Sequence, residues 1–267
     1  MCDAPPMIDL QPLRDAVRQA GRLALAHWPG DGHAVRVWDK RPGDPVSDAD
    51  LRVNDFLHEA LSRVLPQAGW LSEESANDPA QRTGEWAWIV DPIDGTRDFV
   101  RGRAGWAVSV ALVRSGELAA AVLEAPARGE HWWALAGAGA WRNDARLRVS
   151  GRPALSGARV PAADLARADG LFARVPQPNS IALRLGMVAA GEADLVATYR
   201  WGHVWDIAAA TLLVREAGGM VADALGVPPD FRTADGRVFG VVASTPALLD
   251  PAVSHIAERA RAALLGT

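Results

Sequence analysis

Residues 86–99 read Trp-Ala-Trp-Ile-Val-Asp-Pro-Ile-Asp-Gly-Thr-Arg-Asp-Phe, and the segment 91–96 within them decides how the chain is interpreted. The apolar run 86–90 predicts a buried strand. Pro92 fixes φ and removes a backbone donor, so we expect the chain to leave the strand at once. Gly95 permits the tight backbone that brings Asp94 back toward Asp91.

Two ionised carboxylates at the end of a buried strand repel each other and lose hydration, which is costly unless a cation lies between them. Oxygen ligands without Cys or His favour Mg²⁺ or Mn²⁺ over zinc. An ordinary Asp-Gly turn is the alternative. An EF-hand loop is excluded because Ile93 and Gly95 occupy positions that need oxygen side chains, and a Walker loop because Lys40, the single lysine, lacks the glycine pattern.

Two distant stretches support the metal-site interpretation: Leu-Ser-Glu-Glu-Ser at 71–75, and Trp-Asp-Ile-Ala-Ala-Ala at 205–210 followed by Arg-Glu-Ala-Gly-Gly at 215–219. Together with 91–96 they resemble the inositol monophosphatase superfamily of magnesium-dependent, lithium-sensitive phosphomonoesterases. The motifs occur in the family's order, and the resemblance covers nearly the whole chain. It implies an α+β or α/β fold, a layered αβαβα sandwich with the site between its halves.

The resemblance also implies roles for individual residues. The implied ligands of two or three Mg²⁺ ions, with Mn²⁺ as a substitute, are Glu73, Asp91, the carbonyl of Ile93, Asp94 and Asp206. Glu73 would also help deprotonate the attacking water, and Thr96 would hydrogen-bond that water. The N–H groups of Gly95 and Thr96 would hold a phosphate oxygen, a role that free N–H groups at a helix start suit.

Four residues keep a second interpretation. A capping box explains Asp50 fully, whereas the resemblance places it near Lys40 and Thr96. Lys40 lies either close to the phosphate and metals or in solvent. Asp206 is either a metal ligand or a helix N-cap, and His203 is expected on the surface or in packing rather than as a general acid.

The substrate is less constrained. Arg97-Asp98-Phe99 resembles the basic-acidic-Phe triplet of the 3′(2′),5′-bisphosphate nucleotidases, and Ser72 also occurs in that branch. Tyr199 stands where the inositol enzymes place a glutamate that binds sugar hydroxyls. Tyr199 is therefore predicted to contact a base and Arg200 a second phosphate, with the alternative that both residues simply end a strand. We expect a bisphosphate nucleotidase, with an inositol-1-phosphate or histidinol-phosphate phosphatase as the alternative, and a non-catalytic regulatory protein as the alternative of another class.

Composition bounds the remaining possibilities. The chain has 267 residues, 49% of them hydrophobic, and a net charge of −4 with basic residues spread throughout, so no nucleic-acid partner is expected. We expect neither a signal peptide nor a membrane span, and the single cysteine, Cys2, fits a reducing cytoplasm. The expected partner is a small phosphorylated metabolite, and relatives are commonly homodimers.

Hydrophobic periodicity predicts an N-terminal α+β subdomain over 1–150 and a C-terminal α/β subdomain over 151–267. Helices are predicted at 9–28, from Ser47 to before Pro66, at 180–190, at 206–217 and after Pro246. Strands are predicted at 34–38, 106–113, 118–123, 131–135, 147–149, 194–199 and 238–243.

Overall fold

The computed structural model describes residues 9–32, 35–41, 44–75, 84–161, 170–232 and 235–266. The helices in this part of the chain are α1 Leu10–Leu25, α2 Asp48–Val64, α3 Thr96–Val100, α4 Ile181–Ala189, α5 Val204–Glu216 and α6 Leu249–Leu265. The strands are β1 Val37–Arg41, β2 Asp44–Ser47, β3 Gly69–Ser72, β4 Trp86–Asp94, β5 Ala107–Arg114, β6 Glu117–Ala125, β7 Glu130–Leu135, β8 Gly139–Arg142, β9 Ala145–Arg146, β10 Arg159–Val160, β11 Ala173–Arg174, β12 Leu195–His203, β13 Met220–Ala222 and β14 Arg237–Ser244.

A seven-stranded sheet, in the order β3-β4-β5-β6-β7-β8-β9, organises the first half. Its first pair, β3 and β4, is parallel and the remaining pairs are antiparallel. Helices α1 and α2 pack on one face, where their apolar stripes meet alternate residues of the central strands. Helices α4 and α5 belong to the layer on the opposite face.

A three-stranded antiparallel sheet, in the order β12-β14-β13, organises the second half. Helix α5 contacts both sheets, and α6 covers the outer face of the smaller one. The layers therefore run helix, sheet, helix, sheet, helix, which confirms the predicted αβαβα sandwich. None of the described helices combines the length and the apolar character that crossing a bilayer requires.

Most predicted elements occur within a few residues of their predicted bounds, but two strand predictions are wrong. Strand β4 does not end at Asp91; it continues to Asp94, with a register shift between these two residues. Pro92 falls inside this irregular stretch, where the ladder does not need its missing N–H. Residues 147–149 do not extend the sheet, whose last strand is β9. Ala34, at the start of another predicted strand, lies outside the described residues.

A buried carboxylate anchors the second half where β12 begins. Asp194 accepts hydrogen bonds from Ser150 Oγ at 2.6 Å and from Arg159 N, Nε and Nη2 at 2.8, 3.1 and 2.6 Å. Burial raises the pKa of Asp194, but the hydrogen bonds from Arg159 and Ser150 outweigh it and lower the pKa to about 2. The charged form is therefore the one that the fold binds.

Asp194→Asn should destabilise the protein at neutral pH. Because the folded pKa lies below the unfolded value of 3.8, this stabilisation is present above about pH 4 and is lost as the pH falls toward 2. We expect a loss of about 2 kcal/mol at pH 7, or roughly 4–8 °C in Tm. Thermal unfolding from pH 7 to pH 2.5 checks this, with the exposed Asp144→Asn as control. A difference in Tm that stays constant with pH would contradict it.

Candidate active site

The end of β4 brings the motif residues together. Gly95 has φ of 95°, and a Cβ there would lie 2.7 Å from the Gly105 carbonyl oxygen and 2.8 Å from the Ser180 nitrogen. Only glycine fits both the conformation and the space. The chain therefore turns directly from β4 into α3, of which Gly95 is the N-cap.

Four predicted carboxylates face one small cavity of about 210 Å³. Its lining residues include Glu73, Asp91, Ile93, Asp94, Gly95, Thr96 and Asp206. The cavity adjoins a wider cleft of about 1260 Å³, with which it shares Glu73, Arg97, Ile181, Arg200 and Asp206. Residues from positions 73 to 206 thus converge on one place, beside a larger open space.

The charge of this cavity is only partly balanced by the protein, through Lys40 beside Glu73 and Arg200 beside Asp206. Burial raises the pKa of Asp91 well above its ordinary value, and Glu73, Asp94 and Asp206 raise it further. Burial likewise raises the pKa of Asp206 well above its ordinary value, with Asp94 as the next cause. Clustered buried carboxylates need a cation, and the all-oxygen donor set fits Mg²⁺.

Asp94 is oriented by the start of α4. Its Oδ2 accepts hydrogen bonds from Ser180 Oγ at 2.5 Å and Ala182 N at 2.7 Å, and its Oδ1 accepts a longer one from Ile181 N at 3.3 Å. Burial raises the pKa of Asp94 to about 6 although these hydrogen bonds lower it. Oδ1 is therefore the oxygen with the greater capacity left for a cation.

Lys40 is exposed and is paired with two acidic side chains. Its Nζ lies 2.8 Å from Glu73 Oε1 and 2.6 Å from Glu74 Oε1. Burial lowers the pKa of the ammonium, but the two glutamates outweigh it and raise the pKa overall. Burial raises the pKa of Glu74 to about 7 although Lys40 lowers it. Lys40 thus acts as the counter-ion of the glutamate pair.

The described acidic side chains do not form a complete coordination shell. No group of three Asp, Glu, His or Cys side chains in the described ranges is arranged to hold a metal ion. Of the residues that line the small cavity, Glu73 contacts Lys40, and Asp94 is bound by the start of α4.

Asp50 combines its two predicted roles. Its Oδ2 accepts from Ser47 N at 2.8 Å and Ser47 Oγ at 2.6 Å, which completes the capping box of α2. Its Oδ1 lies 3.3 Å from the Thr96 hydroxyl, which is also 3.0 Å from the Ile93 carbonyl oxygen. Burial raises the pKa of Asp50 to about 6 although Ser47 lowers it. Thr96 can donate its one proton to either acceptor, which leaves its lone pairs for a water.

Asp206 is the third residue of α5, not its N-cap. The N-cap is His203, whose N–H donates to Asp206 Oδ2 at 3.0 Å. The His203 ring stacks on Trp205 with 4.2 Å between ring centroids, which agrees with the packing role expected for it. The capping hydrogen bond fixes Asp206 at the mouth of the cavity.

Tyr199 and Arg200 do not face the same space. The register of β12 shifts between Thr198 and Trp201, so the surroundings of the two side chains decide where each one lies. Tyr199 packs against the hydrophobic cluster between the small sheet and α6, and it is not among the residues that line either cavity. Arg200 is exposed and lines both. The structure therefore brings Arg200 to the site and leaves Tyr199 away from it.

The sequence interpretation missed Asn179, Ser180 and Arg184. Asn179 lines the small cavity, and Ser180 caps α4 while donating to Asp94. A serine before an apolar helical run is a signal for an N-cap, so the role of Ser180 in α4 was accessible. The contact with Asp94 was not, because the two residues are 86 positions apart.

Comparisons with known proteins agree with this geometry. Residues 9–261 match the model of the inositol monophosphatase family. An inositol-1-monophosphatase of Rhizobium meliloti is 38% identical over 231 residues, 79% of this chain and 84% of that protein. The Nus factor SuhB of Xylella fastidiosa is 36% identical over 226 residues, 79% and 80%. The structure of an IMPase from Thermotoga maritima superposes with a TM-score of 0.81 at 30% identity, covering 94% of this chain and 98% of that one.

Asp91→Asn and Asp94→Asn should separate charge repulsion from capping. Asp91→Asn removes one charge from the cluster, so the chelator-treated protein should melt about 4–8 °C higher, on the order of 2 kcal/mol. Asp94→Asn relieves similar repulsion but places an amide against the donors of α4, so its Tm should not rise. Calorimetry with and without Mg²⁺ checks both variants. Equal Tm gains in the two would contradict the capping role of Asp94.

Proposed function

We propose that this chain, which belongs to the inositol monophosphatase family, hydrolyses a polyol phosphate, best represented by inositol 1-phosphate. The observation that carries the proposal is the meeting of Glu73, Asp91, Asp94 and Asp206 with Thr96 in one small cavity. Family membership makes the chain a phosphoric monoester hydrolase. The relatives' names support the inositol alternative better than the bisphosphate nucleotidase that the sequence alone favoured.

The residues that would hold Mg²⁺ are Glu73, Asp91, the carbonyl of Ile93, Asp94 through Oδ1, and Asp206. When bound, the metal would neutralise phosphate charge, acidify a water and stabilise the leaving alkoxide. In the described part of the chain Glu73 Oε1 contacts Lys40, and Oε2 makes no hydrogen bond. Oε2 is therefore the oxygen available to accept a proton from the water.

Thr96 would orient the attacking water. If its hydroxyl donates to Asp50 Oδ1, its lone pairs are left to accept a hydrogen bond from the water. The pKa of Asp50, raised to about 6 by burial, still leaves it mainly ionised at neutral pH, so it accepts rather than donates. The N–H groups of Gly95 and Thr96, at the start of α3, would bind a phosphate oxygen.

A second candidate substrate class follows from Arg200. Among the described residues it makes no hydrogen bond or ion pair, and it lies where the small cavity opens into the cleft. A guanidinium there could bind either the reacting phosphate or a second one on the alcohol half. A 3′(2′),5′-bisphosphate nucleotidase would need the second arrangement.

Metal-dependent turnover is the primary test. Purified protein should release phosphate from inositol 1-phosphate only with Mg²⁺ or Mn²⁺, and Thr96→Ala should lower kcat about 100-fold or more, whereas Thr96→Ser retains much of it. Phosphate release measured over a panel of monoesters checks both statements. No metal-dependent release from any ester would reject the phosphatase and favour a non-catalytic regulatory protein.

Arg200→Ala distinguishes the two substrate classes. If inositol 1-phosphate is the substrate, the wild type should hydrolyse it with a higher kcat/KM than 3′-phosphoadenosine 5′-phosphate, and the variant should weaken both alike. A bisphosphate nucleotidase would show the reverse preference and a selective loss of about 10- to 100-fold on the bisphosphate. Steady-state kinetics on both esters checks this. The control variant is Arg215→Ala, at a residue of helix α5 that lines neither cavity.

A further inference from the structure

Arg184 is a buried cation whose hydrogen bonds go to backbone carbonyls. It lies on α4, is 7% exposed, and forms no ion pair within the described part of the chain. Burial lowers the pKa of its guanidinium, Asp94 raises it and Arg200 lowers it further. Burying a charge that forms no ion pair is costly unless hydrogen bonds compensate for it. The hydrogen bonds of Arg184 therefore account for its buried position.

Those hydrogen bonds go to two consecutive backbone carbonyls. Arg184 Nε donates to the Pro178 oxygen at 2.7 Å, and Nη2 donates to the Asn179 oxygen at 2.9 Å. In a trans peptide the carbonyl and the following N–H point in opposite directions. The N–H of Asn179 donates to Asp98 Oδ2 at 3.0 Å, and the N–H of Ser180 donates to the Gly105 oxygen at 2.8 Å.

Both peptide planes are therefore fixed from two sides. Arg184 binds the carbonyl side, and the segment that follows the Asp91–Asp94 motif binds the N–H side. Such a bidentate clamp depends on the planar guanidinium, because a lysine ammonium lacks the fork that reaches two carbonyls in fixed geometry. The clamp fixes the direction in which the Asn179 side chain leaves the backbone.

Asn179 borders the cavity that holds the carboxylates, and it is half-buried. Its backbone N–H and carbonyl are used in the clamp, whereas its side-chain amide has no hydrogen-bond partner among the described residues. An amide offers two donors and an acceptor, which suits the hydroxyl groups of a polyol.

We infer that Arg184 is a positioning residue for Asn179, and that the Asn179 side-chain amide contacts the alcohol half of the substrate. This inference rests on the proposed hydrolysis of a polyol phosphate. It assigns substrate discrimination to two residues outside the predicted metal ligands. Arg184 touches neither the substrate nor the reacting atoms, and its effect reaches the substrate only through the peptide planes at 178–180.

A double-mutant cycle tests the connection. Asn179→Ala and Arg184→Met should each lower kcat/KM for inositol 1-phosphate about 10-fold, mainly through KM, because the amide is removed or misdirected. In the double variant the loss should stay near 10-fold, since the second change removes nothing further. On p-nitrophenyl phosphate, which has no hydroxyl groups, the loss caused by Asn179→Ala should be clearly smaller than its loss on inositol 1-phosphate. Arg215→Met, a change of another partly buried arginine, is the matched control.

Losses that multiply to about 100-fold in the double variant would overturn the inference, and so would equal losses on both esters. If Arg184→Met does not fold by circular dichroism, the same cycle is run with Arg184→Lys, which keeps the charge and loses the bidentate geometry. A wild-type protein that hydrolyses neither ester with Mg²⁺ would instead overturn the proposed function, so the two failures remain distinguishable.

Discussion

The carboxylate of Asp94 is the interaction on which the site depends. It ends β4 of the large sheet and at the same time receives the first N–H groups and the serine hydroxyl of α4. One buried charge thus fixes a strand end and a helix start that are far apart in sequence. Gly95 makes this approach possible, because any side chain there would collide with the backbone on either side. A ligand oxygen is consequently oriented before a cation is bound.

The protein compensates the negative charge of the site only in part. Lys40 compensates Glu73 and Glu74, and the donors of α4 compensate Asp94 in part. Among the described residues, only the N–H of Ile93, at 3.0 Å, donates to the Asp91 carboxylate and offsets its burial. A fold selected for stability alone would not place it there. Buried carboxylates are normally well compensated by donors or cations of the protein. Asp91 departs from this rule at a place where a bound cation would supply the compensation, and such departures are expected at functional sites.

The sequence predicted what contiguous residues control. The capping box at Ser47 and Asp50, the motif at 91–96 and the limits of most helices follow from local chemistry, and the layered fold followed from the resemblance. The resemblance brought the distant motifs together but did not give two specific contacts between them: Lys40 meets Glu73 across 33 positions, and α4 meets Asp94 across 86.

Two departures from the sequence predictions involve irregular strand geometry. The irregular register beside Pro92 lets β4 continue, although proline suggested a stop. A second register shift lies between Thr198 and Trp201 of β12, where Tyr199 packs against the cluster under the small sheet and Arg200 lines the cavities. A sheet's register and the face on which a residue lies are decided by partner strands, which a single stretch of sequence does not reveal.

The position of α5 between the two sheets has a consequence for how the chain is made. The large sheet is complete in sequence at β9, but the helix that covers its second face ends only at Glu216. At a synthesis rate of about 5–20 residues per second, the apolar side chains of that face wait several seconds for their cover. During that interval the nascent first half exposes apolar surface that can aggregate. Chaperone binding or delayed collapse would therefore favour correct assembly.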